Sequence, residues 1–534
     1  MKKIFTLILI VSLSLIKLNA QSFDWVRSNP VNYTMNPAMA KHNSCISSNG
    51  NIYAGRMVNF TYYFGSIFGT SSIDCYNNAG QLQWSFPFGQ KTVIEQMSAD
   101  ANGNLLIGGI FLETLMFTAT DSLNNISPPL TPNVFLFSLD AAGSLRWKRN
   151  LTLTNSNSST VLAMNADHQD NFWYVDDNIF DMNIHKLDNN GQDVQNIALH
   201  NARSVGGICF DANDNLFVTG STEMGTMTIG SLSTTVPDTY MMFVAFIQSS
   251  GAASWVRLAT DATFQNPVCV SDGAGGAYVA GNLMVPTSFG TVSFQGPEWV
   301  YDVFLTHVDA SGNFSWGIEI PHQPTLTGDF LRGSNNFIAS DAAGNVYMMG
   351  ICRGVVDWGN GIVSGGVSVP LPSQQISIVV FDPNGNPVHH LEGGNSDFDQ
   401  VYSLHIMPAG DAYFSGAVID TAFFGSNTVN PGGDLAYVIG RINTVVTSVA
   451  QSSLPRNLSV YPVPANNFLY INDEHNFSGA QVYNMQGALI INQSRGISNH
   501  SLKSIDIAHL SPGNYVLKLN DGKDFRKIIF SVSK

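Results

Sequence analysis

"DAAGNVYMMG", residues 341–350, reads as a tight turn followed by a short apolar strand. Asp341 can cap the turn through its side chain, and Gly344 can take the left-handed conformation that closes a hairpin. Val346 to Met349 suit a buried strand. Near-copies recur along the chain: "SSNGNIYAG" (47–55), "DANGNLLIGG" (100–109), "DHQDNFWYVD" (167–176), "DANDNLFVTG" (211–220), "DGAGGAYVAG" (272–281) and "MPAGDAYFSG" (407–416). With the opening stretch they make seven copies, spaced 44 to 69 residues apart. The third departs most, with Asp176 where most others end in Gly.

A second motif lies between successive copies of the first. An apolar run leads into Asp or a substitute, Gly follows three residues on, and Trp usually four after that. Its six complete instances are "YNNAGQLQW" (76–84), "LDAAGSLRW" (139–147), "LDNNGQDVQ" (187–195), "IQSSGAASW" (247–255), "VDASGNFSW" (308–316) and "FDPNGNPVH" (381–389). Each repeat is therefore strand, tight turn, strand, longer connection, strand, tight turn, strand. Four antiparallel strands at this period predict a β-propeller, and seven first motifs predict seven blades.

The last repeat, "DLAYVIGRINTVV" (434–446), lacks the Gly-then-Trp half. The N-terminal "SFDWVRS" (22–28) supplies it, since Trp25-Val26-Arg27 repeats Trp255-Val256-Arg257. The N-terminal strand is thus expected to complete the last blade, pairing edges that would otherwise stay open. The recurring Trp is read as filler between neighbouring sheets. A further recurrence (Phe64-Gly65, Ile229-Gly230, Phe289-Gly290, Trp358-Gly359, Phe424-Gly425) is also read as architecture.

Composition agrees with an all-β chain of many turns: charged residues are only 12%, while Gly (48) and aromatics (11%) run high. Lys2 and Lys3 precede an apolar run to Ile16, with a cut expected between Ala20 and Gln21, which reads as a secretory signal peptide over 1–20. No later stretch suits a membrane span. Residues 21–456 hold 14 Lys+Arg against 34 Asp+Glu, and residues 457–534 hold 7 against 5. The large acidic part would repel nucleic acid. Five cysteines show no CxxC or Cys/His metal spacing, and Cys45, Cys209 and Cys269 sit just before motif copies, so they read as small core residues. The motif aspartates lack the D-x-D-x-D-G pattern of a calcium loop, and no metal is expected.

After the polar linker 447–456, alternating strands with Pro and Gly turns predict a small Ig-like β-sandwich over 457–534. "YPVPA" (461–465), "VYNMQG" (482–487), "IDIAHL" (505–510), "PGNY" (512–515) and "KII" (527–529) carry a resemblance here. In order and spacing this tail resembles the type A C-terminal sorting domain of type IX secretion in Bacteroidota, departing at Val463. Its motif residues are Tyr461, Pro462, Pro464, Ala465, Gly487, Leu510, Gly513 and Tyr515. The resemblance implies passage through the periplasm, recognition by the type IX machinery, tail removal, and a secreted or surface-attached product. Residues 21–446 are similar, more diffusely, to a seven-bladed repeat class among such cargo.

Both tight turns of a blade fall on one face of the disc, so the longer connections gather on the other, and function is expected there. They include "RMVNFTYYF" (56–64), "FLETLMFTATDSLNNISPPLTP" (111–132), "NLMVPTSFGTVSFQGPEWVY" (282–301) and "CRGVVDWGNGIVSGG" (352–366). The Asp-x-x-Gly-x-x-x-Trp motif is similar to repeats of quinone-cofactor propeller dehydrogenases. Yet Ala142, Ser250 and Ser311 stand where those carry Thr, and Gln195 and His389 replace Trp, so no cofactor is expected. GxSxG, HExxH and P-loop signatures are absent. The expectation is a non-catalytic glycan- or protein-binding module acting in surface adhesion. The alternatives are a secreted hydrolase with its site on the long-loop face and a structural surface-layer component.

Overall fold

The computed structural model describes residues 22–533 apart from 31–42, 64–65, 127–130, 152–159, 179–180, 264, 297–301, 321–327, 365–373, 397–398, 408–409, 433–435, 444–458, 473–478, 485–488, 495–503 and 521–524. The expected signal peptide over 1–20, its expected cut between Ala20 and Gln21, and the expected linker 447–456 lie outside the described residues. The described residues contain β-strands and turns and no helix. The chain divides into two compact units, 1–446 and 447–534.

In the larger unit the opening stretch folds as its chemistry dictates. Asp341 Oδ1 accepts the backbone N–H groups of Ala343 (3.0 Å) and Asn345 (2.9 Å), and Oδ2 accepts from Asn345 Nδ2 at 2.8 Å. Gly344, at φ 78°, donates its N–H to the Asp341 carbonyl. Val346, Tyr347, Met348 and Met349 are fully buried behind that turn. Asp100, Asp167 and Asp211 bind their own turns in the same way, each with an Asn four residues on.

Each motif copy sits in a four-strand antiparallel group. The fourth, for example, runs Ala202–Phe210, Leu216–Thr222, Met241–Ile247 and Ala253–Thr260, paired in that order. The first two groups share the long strand Leu82–Ala99, whose early part pairs with Ser66–Tyr76 and whose later part pairs with Leu105–Phe111. The last group is Gln400–Ile406, Ala412–Val418 and Ala436–Asn443, and its fourth strand is Ser22–Pro30. The N-terminal segment therefore does complete the last sheet, with Trp25 opposite Arg441.

First strands of successive groups pack on one another in chain order. Asn43–Ile46 packs on Leu82–Ala99 on one side and on Gln400–Ile406, the last first strand, on the other. Asn43 marks that junction: its Nδ2 donates to the carbonyls of Ile94 (3.2 Å) and Glu95 (2.9 Å), and its Oδ1 accepts from Asn335 Nδ2 at 2.5 Å. Ser44 and Ser415 hydroxyls meet at 2.9 Å across the same seam.

At the outer strands the Trp residues lie on the next group. Trp84 Nε1 donates to the Ala141 carbonyl (3.1 Å), Trp255 to Ala310 (2.8 Å), Trp316 to Pro383 (2.9 Å) and Trp25 to Asn78 (3.0 Å). In each case the ring covers the second-motif glycine of the neighbour: a Cβ on Gly143 would stand 2.9 Å from Trp84, and one on Gly385 2.7 Å from Trp316. The second glycine thus has two reasons to be there, a positive φ and an indole seated on it. Arg27, Arg149 and Arg257 reinforce the seat by donating to the carbonyls of Gly80, Gly191 and Gly312.

The tail unit has two antiparallel sheets. Ser459–Tyr461, Phe468–Asn472 and Ser504–Asp506 form one; Leu489–Ser494, Gly479–Asn484, Gly513–Asn520 and Phe525–Val532 form the other. Leu469, Ile471 and Ile505 from the first sheet meet Ala480, Val482, Leu517 and Phe530 from the second in one core.

Candidate functional site

The tail's sequence signature separates into two sets. Ala465, Leu510 and Tyr515 are buried and hold the fold. Ala465 N–H donates to the Ser531 carbonyl at 2.7 Å, and its own carbonyl accepts from Ser533 at 2.9 Å, tying the signature to the last strand. Tyr515 stacks on Phe530 at 5.9 Å and donates its hydroxyl to the Ser511 carbonyl at 2.9 Å, next to exposed Gly513. Tyr461, Pro462 and Pro464 are instead presented to solvent, with both Tyr461-Pro462 and Val463-Pro464 peptides cis. Tyr461 stacks on Tyr470 at 5.6 Å, and with Val463 and Phe468 they leave an apolar surface on the small sheet. Gly487 lies outside the described residues.

In the larger unit, the long connections turn out to be partly regular. The Phe-Gly recurrence marks short hairpins: Gly225–Ile229 with Leu232–Val236, Thr287–Phe289 with Val292–Phe294, Val356–Gly359 with Ile362–Ser364, and Ala422–Phe424 with Asn427–Val429. Ile229, Phe289, Trp358 and Phe424 are all buried. Two of these hairpins pair with the preceding group's outer strand, through Leu199 with Ile229 and Gly394 with Phe423. Much of the predicted binding surface is therefore inter-sheet packing, and Phe64 lies outside the described residues.

The second group has a further hairpin that, like those at Thr287–Phe289 and Val356–Gly359, forms a separate two-stranded sheet. This hairpin, Leu115–Met116 with Ser122–Leu123, lies beside Leu82–Ala99 without pairing to it. An open groove of about 610 Å³ remains there. Pro87, Phe88, Met116 and Phe117 give it an apolar lining, and Thr70, Gln90, Thr114 and Thr118 add hydroxyls and an amide. Glu113 is the carboxylate among its lining residues, and it is ion-paired with Lys91. The groove draws on connections assigned to the long-loop face, but its residues carry no sequence motif.

Ionisable groups also gather in the third group, where Gln195 replaces Trp. Asp176, the residue in the Gly position, accepts the Asn183 backbone N–H at 2.7 Å and faces His185 Nε2 at 3.1 Å. His185 stacks on Tyr174 at 4.5 Å, and Arg149 binds both Tyr174 (2.8 Å) and Asp193 (3.0 Å). Burial works to lower the His185 pKa, but the Asp176 and Asp193 hydrogen bonds outweigh it and raise it. Burial likewise opposes ionisation of Asp193, yet His185 and Arg149 hold it at about 2. The arrangement pairs its carboxylates with His185 and Arg149 in the group that lacks the outer-strand Trp. Sequence reading noted Asp176 only as a departure from Gly; its partners Asn183 and His185 come from the next strand, Asp181–Leu187.

Comparisons with known proteins bear on the tail. Residues 459–531 match the family described as the secretion system C-terminal sorting domain. No curated protein sequence matches the chain. Among solved structures, a catalytically inactive virginiamycin B lyase from Staphylococcus aureus is 10% identical, covering 78% of this chain and 99% of its own, at a TM-score of 0.35. The dihydro-heme d1 dehydrogenase NirN is 12% identical over 76% of this chain and 78% of its own (TM-score 0.34). The Neurospora crassa Pan2 WD40 domain is 9% identical over 65% and 88% (TM-score 0.31). These likenesses are too distant to carry an activity. No helix among the described residues is long and apolar enough to cross a membrane. The family match at 459–531 identifies the C-terminal unit as a secretion-system sorting domain, which implies export by the type IX route to the cell surface or the medium.

Proposed function

We propose that this protein is an exported seven-bladed β-propeller that binds glycan chains at its long-loop face and is delivered there by its cleavable C-terminal domain. The ring reading is supported by the order of first-strand contacts, which returns from Gln400–Ile406 to Asn43–Ile46, and by the N-terminal strand completing the last sheet. An Ig-like sandwich at 457–534 and a signal peptide at 1–20 belong to the same reading.

The groove between Pro87–Gln90 and Thr114–Ala119 is the observation that carries the binding role. Its size falls in the ligand-site range of roughly 300–1,000 Å³. An open trough with an apolar floor and a rim of hydroxyls and an amide suits a sugar chain, whose faces are apolar and whose edges carry hydroxyls. The lone carboxylate is neutralised by Lys91, which gives a hydrolase no pair of acids to work with at this place.

A glycan array with the full mature chain tests this. Saturable binding that Gln90→Ala and Met116→Ala weaken at least tenfold, with the thermal midpoint unchanged, supports the groove. A well-folded protein that binds no glycan rules the reading out. A protein ligand captured from surface extracts and lost in the same variants would keep the site and change the ligand.

A further inference from the structure

Five cysteines are present, and all are free and buried in the structure. Two of them, sixty residues apart, face each other between the fourth and fifth groups. The first strand of the fourth group, Ala202–Phe210, packs against the first strand of the fifth, Val268–Ser271. Gly207 permits the close approach: a Cβ there would stand 2.9 Å from the Cys269 backbone nitrogen and 3.1 Å from Val268 Cα. Cys209 lies two residues on, so its side chain leaves the strand on the side Gly207 turns toward Val268–Ser271. Cys269 completes the geometry from the other side. Its Sγ points to the Phe217 carbonyl at 3.8 Å, and Phe217 is the cross-strand partner of Cys209. Both side chains lie in one buried apolar cluster, where the neighbouring Cys269 helps raise the Cys209 pKa. Cys45 and Cys75, by contrast, are held on either side of Tyr53 in one sheet.

We propose that Cys209 and Cys269 form a disulfide in the exported protein, stapling the first strands of neighbouring groups. Export places the chain where disulfides form and persist. The oxidant is a protein or small-molecule disulfide of the export compartment. A Cys209 or Cys269 thiolate attacks it and expels one thiolate. The second cysteine then attacks the mixed disulfide and expels the other. The two protein thiols lose two protons and two electrons in all, and the donor disulfide is reduced to two thiols.

Burial governs when this happens. Cys209 is 4% exposed and Cys269 6%. Burial, then the neighbouring Cys269, pushes the Cys209 pKa well up, so little thiolate exists once the groups have closed. Oxidation therefore accompanies folding. The other three cysteines, buried without a facing thiol, stay reduced.

The test uses the full chain, exported through an oxidising periplasm, quenched in acid, and denatured without reductant. One alkylating reagent is added before reduction and a second, of different mass, after it. Peptide mass spectrometry should find the first label on Cys45, Cys75 and Cys352, the second on Cys209 and Cys269, and a peptide linked through that pair two hydrogens lighter than its reduced parts. First label on all five cysteines overturns the proposal, as does second label on any other pair.

Discussion

The indole of Trp316 lies on Gly385, with its Nε1 donating to the Pro383 carbonyl at 2.9 Å. Sixty-nine residues separate the two, and the contact joins one four-strand group to the next. This relationship recurs as Trp84 on Gly143, Trp147 on Gly191 and Trp25 on Gly80. It explains why a turn glycine and a distant tryptophan share one period.

Gly385→Ala should destabilise the larger unit by about 2–4 kcal/mol. The residue holds φ at 80°, and a new Cβ would meet the Trp316 ring at 2.7 Å. Left-handed strain and overpacking act together there. Gly361→Ala is the control, since φ is also 80° but nothing lies within 4 Å, and about 1 kcal/mol is expected. Urea midpoints of the two variants measure the difference; equal losses would mean that the seat contributes nothing.

The indole hydrogen bond can be separated from the packing. Trp84→Phe loses the donor to Ala141, whereas Trp147 Nε1 is buried without a partner. Trp84→Phe should therefore cost about 1 kcal/mol more than Trp147→Phe. Thermal midpoints in the same order would agree, and the reverse order would contradict the hydrogen-bond account.

Phe23 packs edge-on to Phe414 at 5.5 Å and Phe424 at 5.2 Å, anchoring the N-terminal strand in the last sheet. Phe23→Ala should cost about 3–5 kcal/mol. Deleting 22–30 leaves the Ala436–Asn443 edge open, and light scattering should then report oligomers, since an unpaired edge recruits other strands. A stable monomer after the deletion would show that the strand is dispensable.

His405 predicts a pH dependence. Its Nε2 is enclosed and without a partner. Burial lowers its pKa to about 4, against the opposing pull of a backbone hydrogen bond to Ser44. The unfolded chain protonates first, near 6.5, so the neutral folded form has its full stability above that pH. Stability is lost as pH falls from about 6.5 toward 4, by up to about 3 kcal/mol. The wild-type urea midpoint should fall more steeply over that window than that of His405→Gln. Parallel curves would show that His405 titrates normally.

Local chemistry was legible in the residues. Asp341 reaches N–H groups two and four positions away, so its turn is written within five residues. The same holds for the strand behind it and, by repetition, for the period of the whole larger unit. Trp25-Val26-Arg27 revealed the missing outer strand because it copies an internal motif, and Ser22–Pro30 does pair with Ala436–Asn443. The tail was readable for a different reason, the resemblance of its ordered motifs to a known sorting domain, which the family match at 459–531 supports.

Tertiary structure alone decided which face each residue meets across the sheets. Strand periodicity tells sides apart but says nothing about the neighbouring sheet, so the Trp residues had a role and no partner until Gly143, Gly191 and Gly385 came beneath them. Asp176 became tolerable only when His185 and Asn183 reached it from another strand. Connections that read as open loops folded into hairpins because Ile229, Phe289 and Phe424 gained apolar cover there, and a groove stays open beside the hairpin at Leu115–Met116. Cys209 and Cys269 met because Gly207 has no side chain to hold two backbones apart. Hydrogen bonds within a turn act over a few residues and are written in sequence, whereas packing between sheets joins residues forty to seventy positions apart and exists only once the chain has closed on itself.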